Sequence, residues 1–194
     1  LTQQTKKGIV KPDKQIIQLG IICFLVMATE GAMFDWSGVY FKEVVHAPEH
    51  WVTLGYTAFM IMMATGRFIG DWVIKHLGRQ RTLQISGLLM GSGLVIAVLF
   101  PQLIICTLAF MLIGIGVATV VPTIYSVAGQ HKTIAPGQAI AMVSSISFFG
   151  FLIGPPMIGF IAEWLDLSYS YAIFSSFGFI LFILVSTMNV FKSK

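Results

Sequence analysis

The chain has 194 residues, 56% of them hydrophobic and only 10% charged, with a mean hydropathy of +0.85. A soluble domain carries about a quarter charged residues, so lipid must solvate much of this surface. The net charge of +4 sits in loops and at the ends, with no basic stripe along one element, which argues against nucleic acid as a partner.

The sequence opens at Leu1, without a methionine or a signal-peptide pattern. Residues 2–15 are polar, so residues 1–14 read as a cytoplasmic linker inside something longer. A bilayer core of roughly 30 Å takes about 20 apolar helical residues. Six stretches satisfy this: 15–41, 51–74, 83–100, 103–128, 138–164 and 170–191, here spans one to six. They predict an all-α membrane protein, a six-helix transmembrane bundle over 15–191 with a cytoplasmic tail at 192–194.

Span one carries Glu30, a little over 20 Å along the helix at about 1.5 Å per residue. An ionised carboxylate at that depth must be paired or face water. Two readings stand: a group that titrates during a proton-coupled cycle, or a fixed acceptor bonded to a neighbouring helix. Helical spacing puts Met33, Phe34, Ser37 and Phe41 on the Glu30 side, with Trp36 and Tyr40 as an adjacent aromatic stripe. Asp35 stands nearer the outer surface, where it reads as an interface cap or a second binding carboxylate.

Span two runs into the basic turn that ends Leu77-Gly78-Arg79-Gln80-Arg81. Arg67, Asp71 and Lys75 are spaced i, i+4, i+8 as one charged stripe, and Arg67 can snorkel or pair with Asp71. Small residues recur at four-residue spacing in Gly66/Gly70, Gly87/Gly91 and Gly150/Gly154, which lets helix backbones approach closely. In span four, Pro122 follows Gly114 and Gly116, and Thr119, Thr123, Ser126 and Gln130 share one face. In span five, Ser144 and Ser147 lie with Phe148 and Phe151, and Gly154-Pro155-Pro156 should bend or break the helix. These kinks read either as static packing features or as the places where a transporter helix bends. Polar-plus-aromatic faces suit hydroxylated ligands such as sugars, although Ser and Thr also satisfy nearby backbone.

Placing the N-terminus inside puts Lys6, Lys7, Lys11, Lys14, Lys75, Arg79, Arg81, Lys132, Lys192 and Lys194 on the cytoplasmic side, ten of the 12 lysines and arginines. Outer loops carry Lys42 with Glu43, Glu49, Glu163 and Asp166. Both termini are therefore expected in the cytoplasm. Cys23 and Cys106 lie in apolar runs, and His46, His50, His76 and His131 are scattered among loops, so no disulfide, metal site or cofactor is indicated. The sequence has no HExxH or GxSxG motif and no histidine within a span, which argues against a membrane enzyme. A non-transporting membrane subunit or receptor of the same fold stays open as the alternative.

Taken together, these residues resemble the C-terminal half of a major facilitator superfamily transporter. The segment Leu77-Gly78-Arg79-Gln80-Arg81 is similar to the family's loop between its second and third helices, except that Lys75 stands where an acid is usual and the acid lies upstream at Asp71. Glu30-Gly31-Ala32 with Asp35-Trp36-Ser37, and Gly150 through Pro156 with Ile158-Gly159-Phe160, resemble a bacterial branch near the fucose permeases. The resemblance implies two inverted three-helix repeats, half of a twelve-helix fold, working by alternating access in the bacterial inner membrane. Its partners would be the bilayer, a missing N-terminal six-helix half, a small polar solute of sugar-like character, and protons. Substrate or coupling candidates are Glu30, Asp35, Trp36, Tyr40, Thr119, Thr123 and Ser147. A cytoplasmic gate would involve Gly66, Arg67, Gly70, Asp71, Lys75, Gly78, Arg79 and Arg81, with kinks at Pro122, Gly154, Pro155 and Pro156.

Overall fold

Two of the helices begin at an aspartate whose side chain caps them, and several others end where a residue leaves the helical conformation. Residues 11–191 are described in a computed structural model. Helix α1 spans Lys14–Glu43, and the Asp13 carboxylate caps it by accepting from the Ile16 amide at 2.9 Å. A 3-10 turn at Glu49–Trp51 leads into α2, Leu54–Leu77. Only Gly78 separates α2 from α3, Arg79–Leu99. Its φ of 81° lies in the left-handed region, where glycine avoids the steric penalty of a side chain. Next come α4, Leu103–Ala118, and α5, Val120–Ala128. Helix α6, Pro136–Trp164, starts on a proline that needs no amide partner there. Helix α7, Leu167–Thr187, is capped by Asp166 accepting from the Tyr169 amide at 3.0 Å.

With α4 and α5 taken as one crossing, six helical segments among the described residues are long and apolar enough to span a membrane. No strand occurs among the described residues. Residues 1–10 of the expected linker, including Lys6 and Lys7, lie outside the described residues, as does the tail 192–194 with Lys192 and Lys194.

Several boundaries differ from the sequence reading. The basic turn after span two shrinks to Gly78, because Lys75 continues α2 and Arg79 and Arg81 already belong to α3. The crossing expected over 103–128 is two helices that meet at Thr119. Pro122 has no amide to offer the Ala118 carbonyl, so the ladder is interrupted one turn upstream of the proline. Pro155 and Pro156 do not break α6, which is continuous through both. The last crossing starts at Leu167 rather than 170, and a 3-10 turn at Asn189–Phe191 follows it.

The main packing pairs are α1 on α6, α2 on α4, and α3 on α7. Exchanging spans one to three with spans four to six converts the first pair into the second and returns the third to itself. Consecutive crossings reverse direction, so the two triplets are inverted copies. Glycines set the separations: Gly150 and Gly154 lie directly on the backbone of Phe24 and Ala28, Gly114 on Phe59, and Gly178 on Gly91. Each contact leaves no room for a Cβ. An aromatic cluster fills the core at the Glu43 end of the bundle. In it Tyr40 stacks on Tyr171 at 4.2 Å between ring centroids, and Phe110 packs on Tyr40 and Phe41.

Candidate functional site

Glu30 is 6% exposed on α1, and its Oε1 lies 3.1 Å from Arg67 Nη2 on α2. Arg67 also reaches Met63 Sδ, one turn earlier, at 3.5 Å. Its side chain remains 50% exposed, so the pair is buried on the carboxylate side and open on the guanidinium side. Of the two readings for Arg67, snorkelling or pairing with Asp71, the pairing does not form. Asp71 and Lys75 are exposed and make no ion pair among the described residues. A buried carboxylate loses far more without a partner than an exposed one does, so it captures the nearest guanidinium.

Phe34, one turn beyond Glu30, meets Tyr56, Phe59 and Phe151 edge-on at 6.1, 6.1 and 5.7 Å. The Glu30–Arg67 pair therefore sits beside an aromatic wall built from α1, α2 and α6. Tyr56 and Phe59 were not singled out from sequence, although their three-residue spacing on span two is a readable helix face.

Trp36 donates its indole N–H to the Pro155 carbonyl of α6 at 2.9 Å. Asp35 is exposed beside it, in an open pocket with Val39, Pro155 and Pro156. Tyr40, expected to share the Trp36 stripe, is fully buried instead, and its hydroxyl donates to the Ala97 carbonyl of α3 at 3.0 Å. The candidate hydroxyls of Thr119, Thr123 and Ser147 are spent inside the bundle. Thr119 and Ser86 share a hydrogen bond of 3.1 Å, Thr123 donates to the Thr119 carbonyl at 2.6 Å, and Ser147 donates to the Val143 carbonyl at 2.7 Å. Ser126, from the same expected row, is exposed.

Of the gate candidates, Asp71, Lys75, Gly78, Arg79 and Arg81 lie toward the Gly78 end of the bundle, whereas Gly66 and Arg67 stand midway along α2. Gly66 and Gly70 press against the α4–α5 junction, where added Cβ atoms would stand 2.6 Å from Ala118 Cβ and 2.8 Å from Thr119 Cγ2. Arg79 donates to Gln130 Oε1 at 3.1 Å, tying the α2–α3 turn to the segment after α5. Arg81 is exposed. A second tie was not anticipated from sequence: His131 Nε2 lies 2.9 Å from Asp13 Oδ2, while its Nδ1 accepts from the Ile134 amide at 3.2 Å. The signal for it was slight, a lone histidine opposite an N-capping aspartate.

The family model described as Major Facilitator Superfamily matches residues 18–190. Membrane protein MosC of Rhizobium meliloti is 37% identical over 149 residues, covering 77% of this chain and 37% of its own length. An uncharacterised MFS-type transporter of Yersinia pestis is 33% identical over 162 residues, covering 84% of this chain and 42% of its own length. The chain thus spans less than half the length of these relatives. Among solved structures, the partially occluded inward-open xylose transporter XylE from E. coli superposes with a TM-score of 0.76 at 14% identity, covering 90% of this chain and 49% of that one. The POT family transporter PepTSo does so with a TM-score of 0.79 at 15% identity, covering 91% of this chain and 37% of that one. At such identities the likeness speaks for the fold.

Proposed function

The chain belongs to the Major Facilitator Superfamily, a membrane transporter family rather than an enzyme family, and from that premise we propose that it is the C-terminal six-helix half of a secondary active transporter. It works by alternating access against a missing N-terminal half in a bacterial inner membrane, both termini on the cytoplasmic side. The solute is small and polar, of sugar-like character. The basic Gly78 end and the acidic Glu43–Glu49 and Glu163–Asp166 regions support this orientation. The partial coverage of longer relatives supports the missing half.

The observation that carries this reading is the Glu30–Arg67 ion pair, deep in the bundle yet open on one side. An intramembrane pair of this kind is a two-state element. Protonation of Glu30, or a polar solute group competing for Arg67, releases the guanidinium from α1 and lets α1 and α2 change relative position. A ligand shifts such an equilibrium only by its differential affinity for the two states. The break at Thr119, backed by Gly66 and Gly70, gives the span carrying α4 and α5 a place to bend.

The test is gradient-driven uptake and counterflow in proteoliposomes holding the full-length polypeptide, over a broad panel of polar solutes. Flux of at least one solute is expected, and Glu30→Gln should uncouple that flux from an imposed pH gradient. Absence of flux across the panel would instead support a non-transporting subunit of the same fold.

A further inference from the structure

Asp35 stands one and a half helical turns beyond Glu30, on an open pocket of about 400 Å³ shared with Trp36, Val39, Pro155 and Pro156. The depression is shallow and open, so it holds one end of a small organic solute rather than enclosing it. Asp35 precedes the end of α1 at Glu43, and Pro156 precedes the end of α6 at Trp164, by equal stretches of helix. At 1.5 Å per residue both lie about 12 Å below those ends. Trp51, Trp164 and Tyr169 are exposed around the same end of the bundle, the position of an interfacial aromatic belt. Asp35 therefore lies deeper than the belt. Its carboxylate makes no hydrogen bond or ion pair with a described residue, so it faces water or a cation rather than hydrocarbon.

The pocket walls sharpen this. The Trp36 indole N–H is already committed to the Pro155 carbonyl. The ring rests on α6 at Gly159, where an added Cβ would stand 3.1 Å from Trp36 Cζ2. Pro155 and Pro156 have no amide hydrogen, and Val39 has no polar side-chain atom. These walls thus offer a carboxylate, an immobilised indole and apolar surface, and none of their side chains has a free donor. Because Glu30 is neutralised by Arg67, the two sites together leave one negative charge without a counter-ion among the described residues. A carboxylate beside a fixed indole is a receptor for an ammonium group, through ion pairing and the attraction of a cation to the ring.

We propose that the Asp35–Trp36 pocket binds an ammonium group of the solute, which narrows the small polar, sugar-like class proposed above to members bearing an amine. This rests on the transport reading above.

Choline and its uncharged carbon isostere 3,3-dimethylbutan-1-ol test it, as ligands of the full-length polypeptide in thermal-shift and tryptophan-fluorescence titrations. Choline is expected to bind at least about tenfold more tightly than the isostere. Asp35→Asn should erase that preference, and Trp36→Phe should weaken choline several-fold while leaving the isostere unchanged. Equal binding of the two probes to the wild type overturns the proposal without reference to any variant, and so does a choline preference that survives Asp35→Asn. No choline binding at all overturns it in favour of a cationic side chain from the other half as the partner of Asp35. Solute flux is read separately. Flux without choline preference removes this inference alone, whereas choline preference without gradient-driven flux removes the transport reading.

Discussion

The indole nitrogen of Trp36 and the carbonyl oxygen of Pro155 are joined at 2.9 Å across 119 residues of sequence. The bond falls where α6 has lost two amide donors in succession. Pro155 leaves the Phe151 carbonyl without its usual donor, and that oxygen lies against α1, where a Cβ on Gly31 would approach it to 2.6 Å. Close backbone contact and one side-chain bond from α1 accompany the stretch over which α6 stays continuous through both prolines.

Trp36→Phe keeps an aromatic side chain but removes the indole N–H and with it this bond. The expected loss is about 1 kcal/mol of stability, read as a lower unfolding midpoint for the full-length polypeptide in detergent. An unchanged midpoint would mean that the bond contributes nothing to holding α1 on α6.

The Glu30–Arg67 pair should respond asymmetrically to its two single disruptions. Arg67→Met leaves a carboxylate that is 6% exposed without a partner, whereas Glu30→Gln leaves a guanidinium that is half in the open. Arg67→Met is therefore expected to cost more, about 2 kcal/mol once the open side is discounted, and Glu30→Gln about 1 kcal/mol or less. The double variant should recover most of the loss. Equal penalties for the two single variants would contradict the burial asymmetry.

Glycine substitutions separate packing from backbone freedom. Gly154→Ala drives a methyl into the Ala28 backbone and should cost at least about 2 kcal/mol. Gly137→Ala meets nothing within 4 Å and should be neutral to within about 0.5 kcal/mol. Gly78→Ala also has free space but sits at a φ of 81°, so it should cost about 1 kcal/mol by strain alone. Unfolding midpoints of the three variants rank them directly.

Topology is tested by cysteine labelling in intact cells. Cys23 and Cys106 are buried, so they contribute little background. Glu49→Cys should react with a membrane-impermeant maleimide from outside, and Lys132→Cys only after permeabilisation. The reverse pattern would invert the proposed orientation.

The six crossings were legible because bilayer thickness imposes a length on apolar stretches, and that length survives any detail of packing. Glu30 stood out because a charge in such a stretch demands an explanation. Its partner was harder to see. Arg67 belongs to a regular stripe with Asp71 and Lys75, and local spacing favoured the neighbour four residues away over a carboxylate on another helix. The break at Thr119 was displaced from Pro122 because the proline acts on the carbonyl of the preceding turn. The hydroxyls of Thr119, Thr123 and Ser147 shared readable faces, but spacing does not tell whether a face meets a cavity or another helix. Tyr40 shows the same limit: four residues after Trp36, it turns into the core towards Ala97.

The order in which helices leave the ribosome gives the Glu30–Arg67 pair a second significance. Its two members are separated by 37 residues, against 119 for the Trp36–Pro155 bond that ties α1 to its main packing partner. At synthesis rates of about 5–20 residues per second, α1 waits on the order of ten seconds for α6 but only a few seconds for Arg67. The α1–α2 hairpin thus carries its own counter-ion, so Glu30 has its partner before α6, which packs on α1, has been made.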